Sequence, residues 1–85
     1  MARVTIYTTP ICPYCTMAKR LLAGKSVVYD EIDVSRDHAA REALIAKSGG
    51  RRTVPQIWIG DRHVGGCDDL QALDRGGELD RLLAA

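Results

Sequence analysis

VTIYTTPICPYCTMAKRLLAG, residues 4–24, is the stretch on which the reading of the fold turns. Its first part alternates, with Val4 and Ile6 on one face and Arg3, Thr5 and Tyr7 on the other, so a strand is predicted over Arg3–Thr8. Thr9-Pro10 ends it. From Pro13 to Ala23 the apolar residues Met17, Ala18, Leu21 and Leu22 fall at helical spacing, and Gly24 ends that run. Cys12-Pro13-Tyr14-Cys15 occupies the junction where the strand passes into the helix.

The junction gives the two cysteines their chemistry. The first turn of a helix leaves its N–H groups unpaired, and the macrodipole puts partial positive charge there. A thiolate at that point is stabilised, which lowers the cysteine pKa and raises the reactive fraction at neutral pH. Pro13 suits the first helical position because its missing N–H would have had no partner. Cys12 and Cys15 stand three apart, so they share one helix face at a separation a disulfide can span. Cys12, at the exposed tip, is the expected nucleophile, with Cys15 one turn inside. Lys19 lies on the same face and has two readings: a cation leaning back toward the thiolate, or a solvated surface lysine.

Working outward, Val27–Val34 is rich in β-branched residues and is predicted as a second strand. Ser35 is the expected N-cap of a second helix, with Asp37 in its first turn, a stripe of Ala40, Ala43 and Leu44, and Gly49-Gly50 as its stop. Gln56–Ile59 and Arg62–Val64 are predicted strands joined by a tight turn at Gly60-Asp61, a hairpin signal. Asp68–Asp74 and Glu78–Leu83 are two short helices separated by Gly76-Gly77. The order is β-α-β-α-β-β-α with a final helical tail. A strand–helix–strand unit requires a crossover and parallel strands, whereas the last two strands are antiparallel. The expectation is therefore an α/β domain: a mixed four-stranded sheet with helices on both faces.

Size and composition narrow the function classes. At 85 residues the chain is expected to form one domain with one thin core. Hydrophobic residues at 46% and charged residues at 27% fit a globular protein. A net charge of +1 offers no broad field for nucleic acid or an anionic membrane. No apolar run approaches the roughly 20 residues that span a bilayer, and Met1–Thr9 reads as strand rather than signal peptide. Three cysteines, two of them spaced C-x-x-C, do not make the even framework of a small secreted domain. A cytoplasmic protein is expected. Beside the redox reading of the pair stand an inert buried pair, which the helix-start position opposes, and half a zinc site. A tetrahedral zinc wants four ligands, and Cys67, His38 and His63 stand at no metal spacing, so no metal is expected. Trp58 is expected in the core, and both histidines at the surface.

Taken together, Cys12-Pro13-Tyr14-Cys15, Thr53-Val54-Pro55 and Gly65-Gly66-Cys67-Asp68-Asp69-Leu70 resemble the short dithiol glutaredoxins of bacteria, over essentially the whole chain from Val4 to Leu83. The resemblance implies a thioredoxin fold for residues 1–85 and glutathione as reductant co-substrate, with no permanently bound cofactor. It further implies a monomer acting on disulfide-bonded or glutathionylated proteins.

The resemblance also implies a glutathione site. Pro55 would be a cis-proline facing the redox pair, next to Thr53, with the Val54 backbone turned outward to pair with an extended ligand. The backbone N–H groups of Cys67 and Asp68 would bind the γ-glutamyl carboxylate, and the Asp68 side chain its ammonium. Asp68 and Asp69 read equally as helix N-terminal caps, and Asp69 is expected to do only that. Arg41 is the first choice for the glycine carboxylate, with Arg51 and Arg52 as neighbours. Tyr14 would pack on the bound sulfur. Cys67 reads either as a third redox residue or as a small helix-start residue with an inert thiol. Many family members carry a lysine shortly before the first cysteine; Thr8-Thr9-Pro10-Ile11 lacks it. Two further readings are a redoxin reduced by thioredoxin reductase, against which the Gly65–Asp68 corner argues, and a module holding a [2Fe–2S] cluster through Cys12 and two glutathiones, which the stiffening Pro13 disfavours.

Overall fold

The structure, a computed structural model, describes residues 2–85; Met1, read above with the N-terminal strand, lies outside them. The elements run β1 (Val4–Thr8), α1 (Pro13–Gly24), β2 (Tyr29–Asp33), α2 (His38–Lys47), β3 (Gln56–Ile59), β4 (Arg62–Gly65), α3 (Cys67–Arg75) and α4 (Glu78–Ala84). They form one four-stranded sheet in the order β2-β1-β3-β4. β1 runs parallel to β2 and antiparallel to β3, and β3 is antiparallel to β4. This is the expected mixed sheet.

Two cores lie on its two faces. Val4, Ile6, Ile57 and Ile59 point to one side, where Ala18 and Leu22 of α1, Leu70 of α3, and Leu79 and Leu83 of α4 cover them. Tyr7 and Trp58 point to the other, against Val34 and Leu44 of α2. Tyr7, on the face of β1 opposite Val4 and Ile6 as read from the sequence, is buried there because α2 covers that side. Leu44 is the α2 side chain with no exposure. Truncating such a residue to alanine costs about 2–5 kcal/mol, so Leu44 fixes α2 to the sheet.

Several boundaries differ from the sequence expectations for local reasons. β2 begins at Tyr29 rather than Val27: the Val27 N–H bonds back to the Leu22 carbonyl at 3.2 Å, and Val28 is exposed. The N-cap of α2 is Asp37 and not Ser35. Asp37 Oδ1 accepts the Ala40 N–H at 3.0 Å, while the Ser35 N–H is taken by Asp33 Oδ1 at 2.8 Å. Met17 and Ala43, counted in the apolar stripes, are exposed; the buried side of α1 is Cys15, Ala18 and Leu22. Behind α1, Lys25 Nζ reaches Asp74 at 2.7 Å and Asp80 at 2.9 Å, tying the helix exit to α3 and α4.

Candidate active site

β1 ends at Thr8 and the chain turns through Pro10 and Ile11 into α1, whose N-cap is Cys12. A cysteine in that position places its sulfur over the free amides of the first turn. Cys12 Sγ accepts the Cys15 N–H at 3.1 Å. The two cysteines are joined as a disulfide with their Cα atoms 5.2 Å apart, inside the ordinary range. Cys12 is half-exposed, while Cys15 has only 1% of its surface accessible. A reagent or substrate disulfide therefore meets Cys12 first.

Across from Cys12 the Val54–Pro55 peptide is cis. The Val54 carbonyl oxygen lies 3.9 Å from Cys12 Sγ. A groove runs up to this point, lined by Tyr14, Arg51, Thr53, Val54, Pro55, Gly66, Cys67, Asp68 and Asp69. Three stretches far apart in sequence meet here because β3 lies beside β1 and the β4–α3 corner folds over the end of β3. The corner needs Gly65, whose φ is +114°, a backbone conformation that side chains disfavour. A Cβ there would overlap the Asp69 carboxylate and come within 3.2 Å of Arg51 Nη1. Asp69 Oδ2 accepts the Gly66 N–H at 2.9 Å, so Asp69 caps the start of α3 as expected.

The candidate cations separate. Arg51 lines the groove, whereas Arg41 on α2 and Arg52 do not. Arg41, the first choice from sequence, sits one turn into α2, in which the groove has no part; the cation that reaches the groove follows the Gly49-Gly50 turn instead. Among the described residues Arg51 makes no ion pair with the chain's own carboxylates. Lys19 fits neither of its readings. Its Nζ is bound to Glu31 Oε2 at 3.0 Å, and the same oxygen accepts the hydroxyl of buried Thr8 at 2.7 Å. The Thr8 hydrogen bond and then Lys19 hold the Glu31 carboxyl below its ordinary range. Lys19 thus braces α1 against β2.

Cys67 is 4% exposed and reduced. Burial, helped by neighbouring Asp68, pushes its thiol pKa up. That is the reverse of what a redox cysteine needs, and Cys67 serves as a small apolar residue at the start of α3. His38 is exposed as expected. His63 is not: it is half-buried, its ring stacked on Trp58 with centroids 4.4 Å apart and planes at 20°, and its Nε2 lies 2.7 Å from Gln56 Oε1. Burial first, then Arg51 and Lys47, lower its pKa, with Asp69 opposing. Among the described residues no cluster of three or more His, Cys, Asp or Glu side chains forms a metal site, and no helix is long and apolar enough to cross a membrane.

A family profile described as Glutaredoxin matches residues 4–64. Glutaredoxin from Pseudomonas aeruginosa is 55% identical over 85 residues, covering 100% of both chains. Glutaredoxin 3 from Escherichia coli K12 is 54% identical over 83 residues, 98% of this chain and 99% of its own. The solution structure of a Brucella melitensis glutaredoxin, 54% identical, superposes with a TM-score of 0.85 over 98% of this chain and 89% of that one. The crystal structure of a buckwheat glutaredoxin–glutathione complex, 30% identical, gives 0.88 over 98% and 77%. A redox pair at an exposed helix N-terminus on this sheet defines a thiol–disulfide oxidoreductase of the thioredoxin fold. The chain belongs to the glutaredoxin family and is a glutathione-dependent disulfide oxidoreductase working through Cys12 and Cys15.

Proposed function

We propose that the groove ending at Cys12 holds the glutathionyl half of a mixed disulfide, with Cys12 as nucleophile and Cys15 as resolving thiol. The observation that carries this reading is the placement of Cys12 Sγ: half-exposed, bonded to the Cys15 N–H, and 3.9 Å from the Val54 carbonyl at the groove's end. The Val54 backbone pairs with the extended ligand, beside Thr53 and Pro55, and Tyr14 packs on the bound sulfur. The amides of Cys67 and Asp68 at the start of α3 take the γ-glutamyl carboxylate, a helix N-terminus being suited to an anion. The exposed Asp68 carboxylate takes the ammonium. Arg51, which lines the groove without an ion-pair partner, takes the glycine carboxylate in place of Arg41.

The cycle is two exchanges. The Cys12 thiolate attacks the glutathione sulfur of a mixed disulfide, forming Cys12–glutathione and releasing the substrate thiolate, which takes a proton. A second glutathione thiolate then attacks the glutathione sulfur of that intermediate, giving glutathione disulfide and restoring the Cys12 thiolate. With a protein disulfide, Cys12 first joins one substrate sulfur. Cys15 then attacks Cys12, freeing the reduced substrate and leaving the Cys12–Cys15 disulfide for glutathione to reduce. Rates follow thiolate fraction, nucleophilicity and leaving group. We take residues 1–85 to act as one monomeric domain in the cytoplasm with no permanently bound cofactor. A single sheet whose main core reaches from Val4 to Leu83 supports the one domain, and a free Cys67 beside a reducible pair suits a reducing compartment. The substrates are disulfide-bonded and glutathionylated proteins.

Asp68→Ala tests the site. A charge-assisted hydrogen bond contributes about 1.5–3 kcal/mol, so KM for a small glutathione mixed disulfide should rise about tenfold or more. The rate of Cys12 alkylation should stay the same. An unchanged KM removes Asp68 from the binding site and leaves it as a helix-terminal acid.

A further inference from the structure

Behind the groove a line of polar side chains crosses the hairpin. Gln56 opens β3, a strand otherwise made of Ile57, Trp58 and Ile59, and has no exposure at all. A buried amide must be satisfied at both ends or it costs the fold. Gln56 has two side-chain partners: Oε1 lies 2.7 Å from His63 Nε2, and Nε2 lies 3.2 Å from Thr53 Oγ1. His63 is itself held by its stack on Trp58.

The orientation of the Gln56 amide sets the polarity of this line, with Oε1 on the His63 side and Nε2 on the Thr53 side. An amide oxygen only accepts and an amide nitrogen only donates. With Oε1 toward His63, the imidazole carries a proton on Nε2. With Nε2 toward Thr53, the threonine oxygen is used as an acceptor, and its own proton is left to point away from Gln56. Thr53 is exposed and lines the groove, as Arg51 does. Its hydroxyl proton is therefore free to be donated to a ligand in the groove, which is what a carboxylate requires. Were the amide turned over, Gln56 would accept from Thr53 and the groove would lose that donor.

We propose that His63 and Gln56 are positioning residues for the glutathione site: His63, protonated on Nε2, fixes the Gln56 amide, which holds the Thr53 hydroxyl as a donor toward a ligand carboxylate. The proposal rests on the reading that this groove binds glutathione beside Thr53. Neutral imidazole with the proton on Nε2 and imidazolium both donate from that nitrogen, so the polarity is the same in either charge state.

Two measurements test it. In the reduced, unaltered protein, ¹⁵N-resolved NMR of neutral His63 should report the Nε2–H tautomer; the Nδ1–H tautomer overturns the proposal. In steady-state assays with the mixed disulfide of glutathione and 2-mercaptoethanol, His63→Phe keeps an aromatic ring on Trp58 but removes the donor. Its KM should rise about 3- to 10-fold, the loss of one ordinary hydrogen bond. Its kcat and Cys12 alkylation rate should stay within about twofold of the parent's, a change well under 1 kcal/mol. Thr53→Val should raise KM as much or more, and adding His63→Phe to Thr53→Val should change nothing further, because the two act through one bond. If Thr53→Val raises KM and His63→Phe does not, or if the two effects add, the positioning role is overturned. If Thr53→Val itself leaves KM unchanged, it is the placement of glutathione beside Thr53 that fails.

Discussion

The backbone N–H of Cys15 donates to the Sγ of Cys12 across 3.1 Å. The amide of one redox residue thus supports the sulfur of the other, three positions earlier at the N-cap of α1. The same geometry that lets the pair close as a disulfide keeps a donor on Cys12 when the disulfide opens. A thiolate gains from that donor and from the positive end of the helix, whereas a neutral thiol gains little.

In the reduced protein, Cys12 should therefore form its thiolate well below the roughly 8.5 of a free cysteine. Alkylation rate against pH, with each site followed by mass spectrometry, reads this directly. Cys67 should be labelled last and only at high pH, since burial and Asp68 push its thiol up. An unshifted profile for Cys12 would remove the helix-terminus argument.

Gly65→Ala should collapse the β4–α3 corner. The residue sits at φ +114°, and an added Cβ meets the Asp69 carboxylate and Arg51. The backbone strain and the displaced Asp69–Gly66 hydrogen bond together cost roughly 2–4 kcal/mol. Chemical denaturation should show that loss, and KM for a glutathione mixed disulfide should rise, because the start of α3 moves with Asp69. Unchanged stability and KM would mean that the corner tolerates a side chain.

His63 lies against the protein's one tryptophan, so its protonation is visible. Imidazolium quenches stacked indole fluorescence by accepting an electron. In the reduced protein, Trp58 emission should fall with a midpoint below the ordinary 6.5, since burial, Arg51 and Lys47 lower the His63 pKa. The sign for stability follows. Between the unfolded value and the lower folded one, the unfolded chain binds the proton first, so this contribution is present above about 6.5 and is lost as pH falls through the folded value. His63→Phe should abolish the transition; a midpoint above 6.5 would contradict the burial argument.

The strand–Cys-x-x-Cys–helix junction was legible because alternation, proline and cysteine spacing all act within a dozen residues. The parallel first pair and the antiparallel last pair followed from crossover and hairpin rules. What sequence did not yield was set by pairing across the fold. Tyr7 shares its strand face with Arg3 and Thr5, and its burial there depends on α2 covering that side of β1. Ser35 and Asp37 were both chemically able to cap α2; the helix begins at His38, which puts Asp37 at the N-cap with its Oδ1 on the Ala40 N–H. Arg41 and Arg51 carry the same charge, and only the path of the Gly49-Gly50 turn brings one of them to the groove. His63 was missed although a signal existed. A two-residue turn at Gly60-Asp61 sets Ile59 opposite Arg62 and Trp58 opposite His63, which puts the imidazole on the indole. A glutamine opening a run of Ile57, Trp58 and Ile59 was the sign that a buried polar partner stood nearby.

The two redox cysteines should separate by substrate. Cys12 is half-exposed at the groove and Cys15 is buried beneath it, so an incoming disulfide reaches only the first. Every exchange begins with Cys12 as the attacking thiolate, and Cys12→Ser should abolish activity on all substrates. Cys15 is required only where an internal thiol must release a protein held on Cys12. When the group on Cys12 is glutathione, a second glutathione from solution does the same work. Cys15→Ser should therefore keep most reduction of small glutathione mixed disulfides and lose most reduction of protein disulfides. Its activity on the former can exceed the parent's, because the internal disulfide no longer competes with turnover. The Cys15 N–H that supports Cys12 Sγ belongs to the backbone and survives the substitution, so the Cys12 thiolate should titrate as in the parent. The measurement pairs both variants with both substrates, alongside the alkylation profile. Loss of both activities in Cys15→Ser, as complete as in Cys12→Ser, would reverse or void the assignment of nucleophile and resolving thiol.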